Sequence, residues 1–143
     1  MNVLLLNGPN LNLLGEREPE IYGTTTLAQL ESLVAERARE LGIAVRAFQS
    51  NHEGALVDRL HEVRKWAGGV IFNPGAFTHY SYSLRDAISA TRLRVVEVHL
   101  SDLEKREPWR RVSVISEVVA HRIVGKGVAG YLEALDWLAA HPR

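Results

Sequence analysis

The chain contains no cysteine. Disulfide staples, thiolate nucleophiles and cysteine-ligated zinc or iron–sulfur centres are therefore excluded. Lysine is scarce as well: of 17 basic residues, 14 are arginine and only Lys65, Lys105 and Lys126 are lysine. None of the three stands in an apolar stretch of the kind that prepares an amine for imine chemistry. No charge of one sign is in excess, since 17 basic residues balance 17 acidic ones. Nucleic acid and anionic membrane surfaces are thus not expected partners. No run approaches the ~20 apolar residues that cross a bilayer. The start, Met1-Asn2-Val3-Leu4-Leu5-Leu6-Asn7, lacks the basic residues and the long apolar core of a signal peptide. A cytoplasmic location is expected. Also missing are a G-x-S-x-G elbow, a phosphate-binding G-x-x-x-x-G-K-[ST] loop, a G-x-G-x-x-G fingerprint and an H-E-x-x-H metal motif. Neither a cofactor nor a metal is expected.

What is present suits a globular protein. The 143 residues, 46% of them hydrophobic, match one domain over residues 1–143 with a core of its own. Val3–Leu6 is a short apolar run without alternation, as in a strand buried on both faces of a parallel sheet. Residues 8–25 are rich in Gly, Pro, Asn and charge and read as a long loop, with a lid near residues 15–24. Thr26-Leu27-Ala28-Gln29 is a capping box, and Leu27, Leu30, Val34, Ala38 and Leu41 continue at helical spacing to Gly42. Strands are expected at Ile43–Gln49, Val70–Phe72, Val95–His99 and within Val118–Val124. Helices are expected from Leu56 to Ala67, from Tyr82 to Thr91 and from Val128 to Leu138, with residues 101–111 irregular. Strands alternating with helices predict an α/β fold, a flavodoxin-like three-layer sandwich around a five-stranded parallel sheet.

Open α/β sheets bind ligands beyond the carboxyl ends of their strands. Five polar residues collect there: Asn10 after the first strand, Asn73 and His79 after the third, His99 and Ser101 after the fourth. The loop leaving the first strand carries Arg17 five residues before Tyr22. A phenol, with an ordinary pKa of about 10, is a poor base at neutral pH. A neighbouring cation favours its phenolate. Glu97, inside an apolar strand, is costly unless paired and is placed to orient a neighbour. Each feature also has a purely structural reading. Asn-Gly-Pro-Asn and Asn-Pro-Gly are turn formers, His79 suits a surface, and His99 suits a hydrogen-bonded core. His52, His61, His121 and His141 lie in helical or surface contexts. A non-catalytic binding module and a structural oligomer are the competing classes, but neither requires both Arg17 and Tyr22.

The segments Leu6-Asn7-Gly8-Pro9-Asn10-Leu11-Asn12-Leu13-Leu14-Gly15-Glu16-Arg17-Glu18-Pro19, Tyr22-Gly23 and Gln49-Ser50-Asn51-His52-Glu53-Gly54 form a distinctive set. Asn73-Pro74-Gly75-Ala76, His79-Tyr80-Ser81, Leu84-Arg85-Asp86-Ala87, Val96-Glu97-Val98-His99-Leu100-Ser101, Arg110 and Gly130-Tyr131 extend it. Over nearly its whole length the chain resembles the type II 3-dehydroquinate dehydratases. The resemblance implies dehydration of 3-dehydroquinate to 3-dehydroshikimate in the shikimate pathway, by anti elimination through an enolate. It implies Tyr22 as the base, Arg17 as the cation that keeps it deprotonated, and Asn10 holding a water for the enolate. His99 would be the acid, oriented by Glu97. Asn73 would bind the substrate carboxylate with the Leu100 and Ser101 amides and the Ser101 hydroxyl. His79 and Arg110 would hold ring hydroxyls. Asp86 would reach the site of a neighbouring subunit in a dodecamer built from trimers. Asp102, Trp109 and His121 depart from the residues usual in that family.

Overall fold

The computed structural model describes residues 1–142. Its centre is a five-stranded parallel sheet. The strands are β1 (Asn2–Asn7), β2 (Ala44–Gln49), β3 (Gly69–Asn73), β4 (Val95–His99) and β5 (His121–Val124), in the order β2-β1-β3-β4-β5. That order is the flavodoxin-like one expected. Alternation along each strand sends side chains to two cores. Val3, Leu5, Ile71, Val96, Val98 and Ile123 meet helices α2 (Leu27–Leu41) and α5 (Ala129–Ala140). Leu4, Leu6, Val70, Phe72 and Val95 meet α3 (Glu53–Val63) and α4 (Tyr82–Thr91). Each fully buried Leu, Ile or Phe contributes about 1.5–3 kcal/mol, and the two layers together hold the sheet between helices.

Helix α2 begins as its sequence dictates. The Thr26 hydroxyl accepts from the Gln29 amide at 3.2 Å, and the Thr26 amide donates to the Gln29 side chain at 2.9 Å. Gly42 closes it at φ 70. Most boundaries fall within a few residues of expectation, and three differences have a clear physical reason. Helix α3 ends at Val63 rather than Ala67, although the Ala67 amide still donates back to the Val63 carbonyl as a closing turn. Strand β5 starts at His121, because Val118 and Val119 pack on the core from a loop without joining the ladder. The long first loop contains a 3-10 turn at Leu11–Leu13 and a helical turn, α1 (Pro19–Tyr22), started by a proline at its first position.

Strand order reverses between β1 and β3, so their carboxyl ends diverge into a crevice. The floor of that crevice depends on a close backbone approach. The Gly8 amide donates to the Asn73 carbonyl at 2.8 Å, and a Cβ on Gly8 would stand 2.5 Å from the Pro74 carbonyl oxygen. Gly75, at φ 61, turns the facing chain back beneath Pro9.

Candidate active site

The crevice is a cleft lined by Asn10, Arg17, Tyr22, Asn73, His79, His99, Leu100, Ser101 and Arg110, with Arg106 among them. Nine of the residues singled out in the sequence therefore face one space. Glu97 stands behind it, fully buried. Asp86 lies on the exposed face of α4, outside this cleft.

One wall comes from the first loop. Gly15 and Gly23, at φ 89 and φ 80, bend the chain so that the α1 turn brings Tyr22 back over the strand ends. Arg17 Nη2 donates to the Tyr22 hydroxyl oxygen at 3.1 Å, and its guanidinium carbon lies 4.1 Å from the ring centroid. Arg106 Nη1 donates to the same oxygen at 2.6 Å. Two charge-assisted donors on one oxygen stabilise negative charge there. Arg106 also donates to the Ser101 hydroxyl at 3.2 Å, tying the loop to the end of β4. Arg106 was not singled out in the sequence. It lies in a stretch where seven of eleven residues are charged, and nothing local separates it from Lys105 or Arg111.

The opposite wall comes from β4. Glu97 and His99 are two residues apart on one strand, so they share a face. The Glu97 Oε2 atom lies 2.6 Å from His99 Nε2 and accepts the Thr78 hydroxyl at 2.6 Å. The Ser113 hydroxyl reaches both carboxylate oxygens, at 3.0 and 3.1 Å. Burial alone would raise the Glu97 pKa. The His99 hydrogen bond and charge, the Thr78 hydroxyl and the Arg122 charge outweigh it, so the group sits below its usual 4.5. With one ring nitrogen taken by a fixed carboxylate, the other is the nitrogen that can meet a ligand.

His79 differs from His99 in its partners. Its Nδ1 lies 2.6 Å from the Val112 carbonyl, an acceptor only, so Nδ1 carries the proton and donates. Burial lowers its pKa from 6.5, and the nearby His99 and Arg110 act in the same direction. The ring is therefore neutral, and its Nε2 offers a lone pair to a hydroxyl group. Trp109 packs edge-on against it, with centroids 5.1 Å apart. The rings of His79 and His99 lie 6.5 Å apart across the cleft floor. Among the described residues no group of three or more potential metal ligands is gathered.

Asn73 is fixed at the end of β3. Its side-chain oxygen accepts from the Gly75 amide at 3.0 Å, and its nitrogen donates to the Tyr131 hydroxyl at 2.9 Å. Tyr131, fully buried on α5, donates in turn to Asn7 Oδ1 at 2.7 Å. The first and third strand ends are thus joined through the closing helix. Burial pushes the Tyr131 pKa well above 10.0. Asn10, at φ 69, is held by a bond from its amide to Asn51 Oδ1 at 3.0 Å, and Gln49 donates to the Gly8 carbonyl at 3.1 Å. Two of the departures from the family pattern lie outside the cleft lining. Asp102 caps a 3-10 turn by accepting from the Glu104 amide at 3.1 Å. His121 stacks on Trp137 at 4.9 Å.

Comparison with known proteins places the chain in a family. A family model described as "Dehydroquinase class II" matches residues 1–139. A protein of Anoxybacillus flavithermus named 3-dehydroquinate dehydratase is 57% identical over 132 residues, covering 92% of this chain and 89% of that one. One of the same name from Pelotomaculum thermopropionicum is 54% identical over 140 residues, covering 98% and 97%. The crystal structure of a type II dehydroquinase from Butyrivibrio crossotus superposes with a TM-score of 0.95 at 43% identity, covering 96% of this chain and 97% of that one. Similarity of this extent, in sequence and in backbone, shows that the chain belongs to the class II dehydroquinase family.

Proposed function

We propose that this cleft dehydrates 3-dehydroquinate to 3-dehydroshikimate, the hydro-lyase step of the shikimate pathway that serves aromatic amino acid synthesis. The observation that carries the reading is the pairing of Tyr22, under two guanidiniums, with the Glu97–His99 dyad across one cleft. A proton on carbon beside a ketone is acidic because its removal spreads charge onto oxygen as an enolate. Tyr22, as phenolate, takes that proton, and Arg17 and Arg106 stabilise the phenolate before the step. Asn10 holds a water that donates to the enolate oxygen, a donor placed before charge develops. Collapse of the enolate expels hydroxide, and His99 supplies the proton that lets it leave as water. Base and acid on opposite walls suit an anti elimination. Glu97 keeps the imidazole oriented and stabilises its charged form.

The remaining groups bind. Asn73 has one side-chain N–H beyond that given to Tyr131, and it joins the Leu100 and Ser101 amides and the Ser101 hydroxyl around the carboxylate. Neutral His79 accepts from a ring hydroxyl, and Arg110 donates to another. The segment near residues 15–24 acts as a lid that brings Arg17 and Tyr22 onto bound substrate within a single domain spanning 1–143. Exposed Asp86 serves the cleft of a neighbouring copy in a trimer, four of which form a dodecamer. None of the described helices is long and apolar enough to cross a membrane. Together with the absence of cysteine, this supports a cytoplasmic enzyme.

The test is direct. Purified protein mixed with 3-dehydroquinate should show growing ultraviolet absorbance from the conjugated enone product, and borohydride treatment should not abolish it. No absorbance change sinks the reading. Loss of activity on borohydride would replace the enolate route with a lysine imine.

A further inference from the structure

Glu97 has two basic neighbours, and only one of them is His99. The other is Arg122 of β5. In the parallel register Arg122 stands directly beside Glu97, and its Nε lies 3.2 Å from Oε1. His99 meets the other oxygen, Oε2. The Arg122 approach is close but is not aligned as a hydrogen bond. Its Nε and Nη2 are buried and donate to no acceptor among the described residues. A guanidinium set this way acts by charge, which it cannot lose at any working pH. Position 122 lies on an edge strand, where a β-branched residue would complete the ladder without the desolvation cost of a cation. The arginine is therefore unexplained by the sheet alone.

We infer that Arg122 is a positioning residue for the acid: it shares the Glu97 carboxylate with His99, so the pair yields its proton to the leaving hydroxyl more readily than a Glu–His pair alone. The inference rests on the reading of His99 as the acid. Among the causes acting on Glu97, burial is the largest and opposes ionisation, while His99, Thr78 and Arg122 together overcome it. The groups facing the pair are few. Thr78 and His79 come from the turn after β3, and Ser113 and Arg110 from the segment before β5. Tyr22, Arg17 and Arg106 line the cleft itself. None of these touches the Oε1 side except the neutral Ser113 hydroxyl. Arg122 is the one fixed charge there among the described residues.

Two variants, R122Q and R122M, remove the charge while keeping most of the side-chain volume, and R122K restores a charge. Turnover of 3-dehydroquinate is measured between about pH 5 and 10. The ring nitrogens of selectively labelled histidine are followed in the resting protein. Without Arg122 the unshared carboxylate holds the proton more tightly. The alkaline limb of kcat and the titration of the Glu97–His99 pair should both move up by about one pH unit. The plateau kcat should fall several-fold with KM unchanged, and R122K should recover most of both. A pair titration unmoved in folded R122Q and R122M overturns the inference, even if thermal stability drops. A pair titration that moves while the kcat limb does not supports the charge effect and removes His99 as the acid.

Discussion

The Arg106 guanidinium donates to the Tyr22 hydroxyl across 2.6 Å, although the two residues are 84 positions apart. The nearer arginine in sequence, Arg17, makes the longer contact at 3.1 Å. The shorter bond comes from the segment after β4, the strand that also carries His99. The two donors to the Tyr22 oxygen therefore come from the first loop and from the body of the fold.

Removing Arg106 should cost turnover more than stability. Deleting one preplaced donor to a reacting oxygen typically costs about a hundredfold to a thousandfold in kcat. R106A should fall in that range with an unchanged circular dichroism spectrum. R17A should behave alike, and the double variant should lose less than the product of the two, because both act on one oxygen. A strictly multiplicative loss in kcat would show that the two arginines act on different groups.

Tyr22→Phe keeps the ring and its contacts with Arg17 while removing the oxygen. General base groups contribute about 10²–10⁴-fold, and loss at or beyond the upper end is expected. His99→Ala should be similarly slow. The two variants should separate in isotope exchange. The His99 variant should still exchange the substrate proton with solvent, and the Tyr22 variant should not. Proton exchange by Y22F would remove the tyrosine as base.

Tyr131→Phe should destabilise the fold by about 1–3 kcal/mol, since Asn7 and Asn73 each lose a buried partner. It should also change the alkaline behaviour. The folded pKa of Tyr131 lies above its unfolded value of 10.0, so the folded state holds a proton that the unfolded chain releases. Its contribution is whole below pH 10 and declines as pH rises beyond it. Urea denaturation series at pH 8 and pH 11 should show a larger fall for the native sequence than for Y131F. Parallel falls would mean that other groups set the alkaline limit.

On the acid side two groups act in the same direction. His79 has a folded pKa below 6.5, so the unfolded chain takes up its proton first as pH falls. Glu97 has a folded pKa below 4.5, so the stability it supplies is present above 4.5 and is lost as pH falls through the folded value. Stability should therefore decline first near pH 6 and again below pH 4.5. His79→Gln should flatten the first decline and leave the second, as read by thermal melting from pH 7 to 3. A first decline that survives in the variant would assign it to another histidine.

The buried strands were legible because parallel sheets leave unbroken apolar runs, as at Val3–Leu6 and Val70–Phe72. The α2 start was legible because Thr26 and Gln29 carry both halves of a reciprocal cap. Strand β5 was less so. Val118 and Val119 are apolar for packing rather than pairing, and periodicity does not separate the two. Within the site, residues at strand ends could be grouped by topology alone, since the fold sends every strand's carboxyl end to one edge. Arg106, Thr78 and Ser113 could not. They act through distances of 2.6–3.0 Å set by loop paths, which no spacing in a charged or hydroxyl-rich segment encodes. The helical turn at Pro19–Tyr22 did have a signal, a proline after Glu18 opening a short acidic stretch.

The Asn7–Tyr131–Asn73 clamp has a consequence for the timing of synthesis. Every group that lines the cleft precedes residue 111, yet the strand ends that carry them are locked together by a side chain from the last helix. A nascent chain made through residue 111 holds every cleft-lining residue but still lacks the bolt between its first and third strands. The cleft walls are thus all made before the residue that fixes them, Tyr131 in the first turn of α5, emerges.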